Sequence, residues 1–174
     1  MTYPDKTVYP VASCNMADFK NIMDVYMDAV FYPAMYEHEE IFKQEGWHYE
    51  LEDVDGELAY NGVVFNEMKG VFSSPEQLIE RKIQQSLYPD TGYGFESGGD
   101  PVDIPNLTYR DYLDFHSKYY HPSNSYIYLY GDMDMEEKLT WIDEKYLSHF
   151  EYLKVDSEIK PQKAFDKPAE VDAF

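Results

Sequence analysis

Basic residues and cysteine are what this chain of 174 residues most lacks. Fourteen lysines and arginines stand against 34 aspartates and glutamates, a formal charge of −20 at pH 7. A chain this acidic has no broad basic face to replace phosphate counterions, so nucleic-acid binding is excluded. The single cysteine, Cys14, permits no internal disulfide and has no Cys or His near it at metal-site spacing. It reads as a small semi-buried residue and is compatible with a reducing compartment such as the cytoplasm. Apolar runs are only a few residues long, so no transmembrane helix is expected. A charged-then-apolar secretory leader is missing at the start, and no internal repeat or low-complexity tract occurs.

What is present is enough for a packed core. Hydrophobic residues make up 44% and aromatics 17%, with 18 tyrosines, which excludes a disordered composition and fits one ordinary domain. Most of the negative charge lies before Met135. It reads either as a solvated acidic surface or as an acidic wall that concentrates basic peptides, and composition leaves both open.

Periodicity predicts a mixed chain. Thr7 to Ser13 reads as a short strand, edged or bulged at Pro10. Asn15 caps a helix whose apolar stripe is Phe19, Met23, Tyr26 and Val30, and Pro33 ends it. A short charged helix follows from Glu37 to Gln44, closed by Gly46, and Trp47 to Leu51 reads as a strand. Leu58 to Phe65 is ambiguous: Asn61-Gly62 signals a hairpin, whereas Tyr60, Val64, Glu67 and Val71 fall on one helical stripe. Helices are expected over Glu76–Leu87, after Thr108 to about Tyr119, and over Met135–Phe150, with a Tyr-rich alternating strand at Ser125–Tyr130. The tail from Glu151 reads as a linker. Interleaved elements without a strict βαβ rhythm indicate a layered α+β domain.

Few residues offer chemistry. The five histidines, His38, His48, His116, His121 and His149, form no recognised metal pair. Ala34-Met35-Tyr36-Glu37-His38 has the shape of H-x-x-E-H, with alanine where the first histidine belongs. The long loop Pro89–Pro105, containing Ser97-Gly98-Gly99-Asp100-Pro101, lacks the Lys-Ser/Thr of a phosphate-binding loop. Its length alone keeps it among functional candidates. On a helical reading Glu67 turns inwards on the stripe of Tyr60, Val64 and Val71. A buried carboxylate there must be protonated, paired or metal-bound. Periodicity does not choose between an ion pair and a metal.

Several blocks in one order carry a resemblance. Thr2-Tyr3-Pro4-Asp5-Lys6-Thr7, Tyr9-Pro10-Val11-Ala12-Ser13, Met23-Asp24-Val25-Tyr26, Asp28 to Pro33, Gln44-Glu45-Gly46-Trp47, Gly62 to Gly70, Ser97 to Pro101 and Tyr120-His121-Pro122-Ser123-Asn124 stand together over residues 2 to 150. In these blocks the chain resembles the presequence-protease branch of the insulinase/pitrilysin zinc metallopeptidases. The resemblance implies a LuxS/mitochondrial-processing-peptidase-like α+β domain, a layered sheet with helices on one face, incomplete at the N-terminus. Residues 1–150 would be the C-terminal part of the first, zinc-bearing domain, and 151–174 a linker and the start of the next.

Family enzymes place two zinc-binding histidines and a general-base glutamate in H-x-x-E-H, and a downstream glutamate on a second helix completes the protein ligands. Asn66-Glu67-Met68 matches that downstream block, so the resemblance implies that Glu67 is a zinc ligand and that its segment is helical. The H-x-x-E-H motif is absent from these residues, so no catalytic residue is assigned. The parent would be a zinc metalloendopeptidase degrading short unstructured, presequence-like peptides, with zinc polarising the scissile carbonyl. Its peptide substrate would add as a strand to a sheet edge leading into the first residues of this chain. The partners implied are peptide substrate and the remaining parts of the same polypeptide. The compartment implied is the cytoplasm, or a mitochondrion or plastid in a eukaryote. Alone, the chain is expected to bind zinc poorly and to be inactive. The alternative is a non-catalytic peptide-binding or partner module, and a blander one is a free-standing α+β domain.

Overall fold

A computed structural model describes residues 1–172. In chain order its regular elements are α1 (Met16–Phe31), α2 (Glu39–Glu45), β1 (His48–Glu50), β2 (Ala59–Asn61), α3 (Val63–Val71), α4 (Pro75–Leu87), α5 (Tyr109–Tyr119) and α6 (Met135–Lys145). Single 3-10 turns punctuate the connections, at Ala34–Tyr36, Gly92–Gly94, Ile104–Asn106, Pro122–Asn124 and Leu147–His149. The chain divides into two compact units. One takes Met1–Pro10, Glu37–Tyr109 and the segment from Glu158 onward; the other takes Val11–Tyr36 and Arg110–Ser157.

The first unit is built around a two-stranded antiparallel sheet and the helix that follows it. β1 and β2 pair His48 with Asn61, Tyr49 with Tyr60 and Glu50 with Ala59. Tyr49 and Tyr60 lie ring against ring at 5.3 Å, and the Trp47 indole meets both edge-on at 5.4 and 5.7 Å. Cross-strand aromatic pairs of this kind stabilise a short ladder by a few tenths of a kcal/mol to about 1 kcal/mol. The Trp47 indole N–H also donates to the Leu107 carbonyl at 2.8 Å. Behind the sheet, Phe65 and Met68 of α3 pack on Ile104, with Trp47, Val64, Val71 and Phe72 partly buried around them.

Asn61-Gly62 does not make a hairpin turn. β2 ends at Asn61, and Gly62, at φ 151°, hands the chain directly to α3. A side chain at Gly62 would place its Cβ 2.2 Å from the Gly46 carbonyl oxygen and 2.7 Å from the Trp47 Cα. Both are backbone atoms and neither can step aside. That carbonyl instead accepts a hydrogen bond from the Phe65 amide at 3.3 Å, one of the amides left orphaned in the first turn of a helix. Helix and strand readings of 58–65 are therefore each half right, and the helical stripe is corrected in one respect. Tyr60 belongs to β2, so it shares no helical face with Val64, Glu67 and Val71.

The second unit is mostly helical. Asn15 caps α1 through its side-chain oxygen, which accepts from the Ala17 and Asp18 amides at 2.9 and 3.1 Å, as its place in the sequence predicts. The helix stops at Phe31, before Pro33. Tyr146, 1% exposed, sits just beyond α6 among the rings of Phe31, Tyr32 and Trp141. Its hydroxyl donates to the Asp24 carboxylate at 2.5 Å and approaches the Asp24 carbonyl at 3.0 Å. Lys145 holds the same carboxylate at 2.5 Å. Hydrogen bonds from Lys145 and then Tyr146 depress the Asp24 pKa, while burial, then the hydrogen bond to Asp24, raises that of Tyr146. Asp24 thus contributes stability above its ordinary range near 3.8, and that contribution is lost as pH falls through the depressed folded value.

The α+β class holds, but the sheet is smaller than the alternating segments imply. Among the described residues Thr7 makes only an isolated bridge to Thr2, and Ser125–Tyr130 joins no strand. Strand propensity describes a fit to a pleated, half-covered surface, and without a neighbouring strand it leaves only an extended chain. Cys14 is exposed with a free thiol, not semi-buried, because it lies in the bend before α1 and off its apolar stripe. The tail beyond Glu151 forms no helix or strand among the described residues.

Replacing Gly62 by alanine should cost at least about 2 kcal/mol in urea unfolding, from combined overpacking and backbone strain. Gly70, on the same helix with nothing within 4 Å of an added Cβ, is the control. Gly70→Ala should be neutral or gain up to about 1 kcal/mol.

Candidate functional site

Helix α3 is the element that carries Glu67, and its start is fixed by a chain of side-chain amides. Asn61 donates through Nδ2 to Glu50 Oε2 at 2.6 Å, across the strand pair. Its Oδ1 accepts from the Gly62 amide at 2.7 Å and from Asn66 Nδ2 at 2.6 Å. One asparagine therefore ties β1, the strand-to-helix junction and the first turn of α3 together. With Phe65 and Met68 anchored in the core, the rotation of the helix about its axis is set.

That rotation places Glu67 outwards. The buried arc of α3 centres on Met68, and Glu67 lies about 100° round the axis from it, exposed. The inward-facing carboxylate expected from the stripe is thus corrected: the arc is decided by what docks on Ile104, and Phe65 and Met68 do so. Among the described residues Glu67 makes no ion pair with a neighbour. The structural ion pair that periodicity left open for it is not formed there, and its carboxylate is available to a group outside these residues.

Zinc sites of hydrolytic enzymes need three protein donors around one open position. Among the described residues no three His, Cys, Asp or Glu side chains are grouped so as to hold a metal ion. These residues do not by themselves fit a zinc ion; they offer one carboxylate on a rigidly oriented helix. The Ala34–His38 stretch supplies nothing further. Ala34–Tyr36 is a 3-10 turn and His38 precedes α2, so no single α-helix carries the stretch as H-x-x-E-H requires. His48 and His121 hold backbone, through contacts to the Lys43 carbonyl and the Ser123 amide.

The glycine-rich loop has a supporting role in this geometry. Gly98 lies against the side chain of Met68, where an added Cβ would fall 2.3 Å from its sulfur. Two residues on, the Asp100 carboxylate binds the Arg81 guanidinium, which lies over the Phe72 ring at 4.6 Å from its centroid. Arg81 Nε is buried without a partner, a cost of about 1–3 kcal/mol that the pair and the ring must offset. The loop therefore backs α3 through Met68 and through the residue that follows the helix. Nothing in the spacing of Arg81 and Asp100 marks them as partners in the sequence; only the length of the loop draws attention to it.

Residues 106–173 match the family described as Peptidase M16 inactive domain. Protein HypA of Clostridium perfringens (strain 13 / Type A) is 62% identical over 170 residues, covering 98% of this chain and 18% of that protein. Presequence protease 1, chloroplastic/mitochondrial, of Arabidopsis thaliana is 53% identical over 169 residues, covering 96% of this chain and 16% of its own length. Presequence protease, mitochondrial, of Danio rerio is 44% identical over 170 residues, with 96% and 16% covered. The chain spans less than a fifth of the length of these curated relatives. No helix among the described residues is long and apolar enough to cross a membrane.

His116, in the second unit, is the histidine whose titration the fold perturbs. Its Nε2 donates to the Val30 carbonyl at 2.9 Å, which leaves Nδ1 to accept from the Tyr36 hydroxyl at 2.9 Å. The ring stacks on Tyr120 at 4.6 Å. Burial lowers its pKa, partly opposed by the Val30 contact. A depressed histidine is neutral in the fold, so its contribution is complete above about 6.5 and is lost as pH falls below that value. Urea unfolding at pH 7.5 and 5.5 should show stability decreasing towards the acid side, and His116→Gln should flatten that slope. An unchanged slope in the variant would assign the acid sensitivity to other groups.

Proposed function

We propose, from the premise that this chain belongs to the insulinase-type peptidase family in its presequence-protease branch, that it is the Glu67-bearing part of a longer zinc metalloendopeptidase. In that polypeptide Glu67 supplies one carboxylate to a zinc ion whose other protein ligands lie outside these 174 residues. The substrates are short unstructured peptides. The chain alone neither retains the metal nor cleaves peptide bonds.

The observation that carries this reading is the state of Glu67. An exposed carboxylate with no ion-pair partner among the described residues is held on a helix whose start and rotation are over-determined by Gly62, Asn61 and the Phe65–Met68 packing. Rigid presentation of an uncommitted ligand suits a site completed from elsewhere, since metal ligands must be positioned by their supporting shell. What these residues do is orient that carboxylate. The acidic character of the chain supports the attraction of basic, presequence-like peptides. The exposed free thiol of Cys14 supports a reducing compartment, the cytoplasm or an organelle matrix.

A second reading has its own support. The matching family description is of an inactive domain, and its match, residues 106–173, leaves out Glu67. A non-catalytic peptide-binding or partner module would fit it. The coding region upstream of Met1 separates the two: an intact H-x-x-E-H supports the peptidase, and a degenerate one the module.

For the peptidase reading, Glu67→Gln in the full-length polypeptide should lower retained zinc at least about 100-fold in affinity, since a neutral amide replaces an anionic ligand. Hydrolysis of an unstructured peptide should fall with it while the unfolding midpoint of the metal-free protein stays put. The purified 174-residue chain should show no metal-dependent turnover. Full metal content in the variant, or turnover by the chain alone, contradicts the proposal.

A further inference from the structure

Asn61-Gly62 is a dipeptide in which asparagine readily loses its side-chain amide, because glycine has no Cβ to shield the nitrogen that attacks it. The reaction needs no enzyme. The Gly62 nitrogen gives up its proton and bonds to the Asn61 Cγ, the Cγ–Nδ2 bond breaks, and Nδ2 leaves with a proton as ammonia. Water then opens the cyclic imide, at Cγ to give aspartate or at the main-chain carbonyl to give isoaspartate. The junction between β2 and α3 opposes each of these movements. The Gly62 N–H donates to Asn61 Oδ1 at 2.7 Å, so the proton, not the electron pair of the nitrogen, faces the group under attack. Oδ1 also accepts from Asn66 Nδ2 at 2.6 Å. Nδ2 donates to Glu50 Oε2 at 2.6 Å, so the leaving nitrogen faces an acceptor and not a proton donor. Closing the imide ring would turn ψ of Asn61 away from the extended strand in which it pairs with His48. Gly62 is buried against the Gly46 carbonyl and the Trp47 Cα, and that contact resists the turn.

We propose that Asn61-Gly62 is a fold-guarded deamidation site, kept as the amide while the junction is closed and converted once it opens. The conversion is one-way. Aspartate at position 61 sets a carboxylate against Glu50 where an N–H stood, and like charges that close disfavour each other's ionised forms. Isoaspartate adds a main-chain carbon to a junction that has no room for a Cβ. Either product removes the donor to Glu50 that ties β1 to the start of α3, so the guarding geometry does not re-form. An opening of the junction is thereby recorded in the covalent chain. No metal enters this step, so it stands apart from the reading of Glu67.

Peptide mapping of the full-length polypeptide, aged at pH 8 in buffer and in denaturing urea, tests this directly. Trypsin releases residues 44–69 as one peptide, since no lysine or arginine lies between Lys43 and Lys69, and fragmentation locates the acid at position 61. Conversion in buffer should run at least about 100-fold more slowly than in urea, because it waits on local opening. Asn66→Ala removes one bond to Oδ1 and should speed conversion in buffer about fivefold, with the rate in urea unchanged. Equal rates in buffer and urea overturn the proposal, and so does a rate in buffer that Asn66→Ala does not move. Asn61→Asp stands for one product and should lower the urea-unfolding midpoint at pH 8. That deficit should shrink as pH falls through the carboxylate range, where one of the two acids regains a proton to donate. An unchanged midpoint overturns the one-way step. If Asn61→Asp does not fold, the rates in buffer and urea still decide the proposal.

Discussion

The contact on which the candidate site depends is between two stretches of backbone, at Gly62 and Gly46. No side chain fits between the Gly62 Cα and the Gly46 carbonyl, and the space a Cβ would need is taken by that oxygen and by Trp47. The close approach lets one carbonyl accept the Phe65 amide at the start of α3, so strand and helix join without a loop. Everything that orients Glu67 follows. The Asn61 side chain can reach both Glu50 and Asn66, Phe65 and Met68 meet Ile104, and Gly98 and Gly99 of the 97–101 loop lie against Met68 and Ile104 in turn. A longer or looser junction would leave the helix free to turn, and with it the carboxylate.

Much of the local structure was legible in the chain. Asn15 and Pro33 bracket α1, Pro75 opens α4, and Gly46 closes α2, each through a capping or backbone rule that needs no tertiary partner. What was not legible depended on partners distant in sequence. Asn61-Gly62 carries a hairpin signature, and only the proximity of Gly46 turns the same dipeptide into a strand-to-helix junction. Glu67 sits on a stripe with Val64 and Val71, yet the helix rotates towards Met68 because Ile104, far along the chain, offers the better contact. The pairs Arg81 with Asp100 and Tyr146 with Asp24 leave no periodic trace at all. Ser125–Tyr130 shows the opposite failure: its alternation is clear, yet it joins no strand among the described residues.

The two units contribute differently to this picture. The first presents the exposed carboxylate of Glu67 on a helix braced by Asn61, Phe65 and Met68. The second is tied internally by Tyr146, Asp24 and Lys145 and by the His116 pair of contacts. Relatives more than five times its length match nearly all of the chain.

The central claim is that Glu67 is a ligand supplied to a metal it cannot hold alone. Anomalous scattering at the zinc edge from crystals of the full-length polypeptide examines it without recourse to activity. A peak about 2.0–2.2 Å from a Glu67 carboxylate oxygen, shared with two nitrogen donors from outside these residues, is the predicted result. A zinc peak bound elsewhere with Glu67 still in solvent would contradict it.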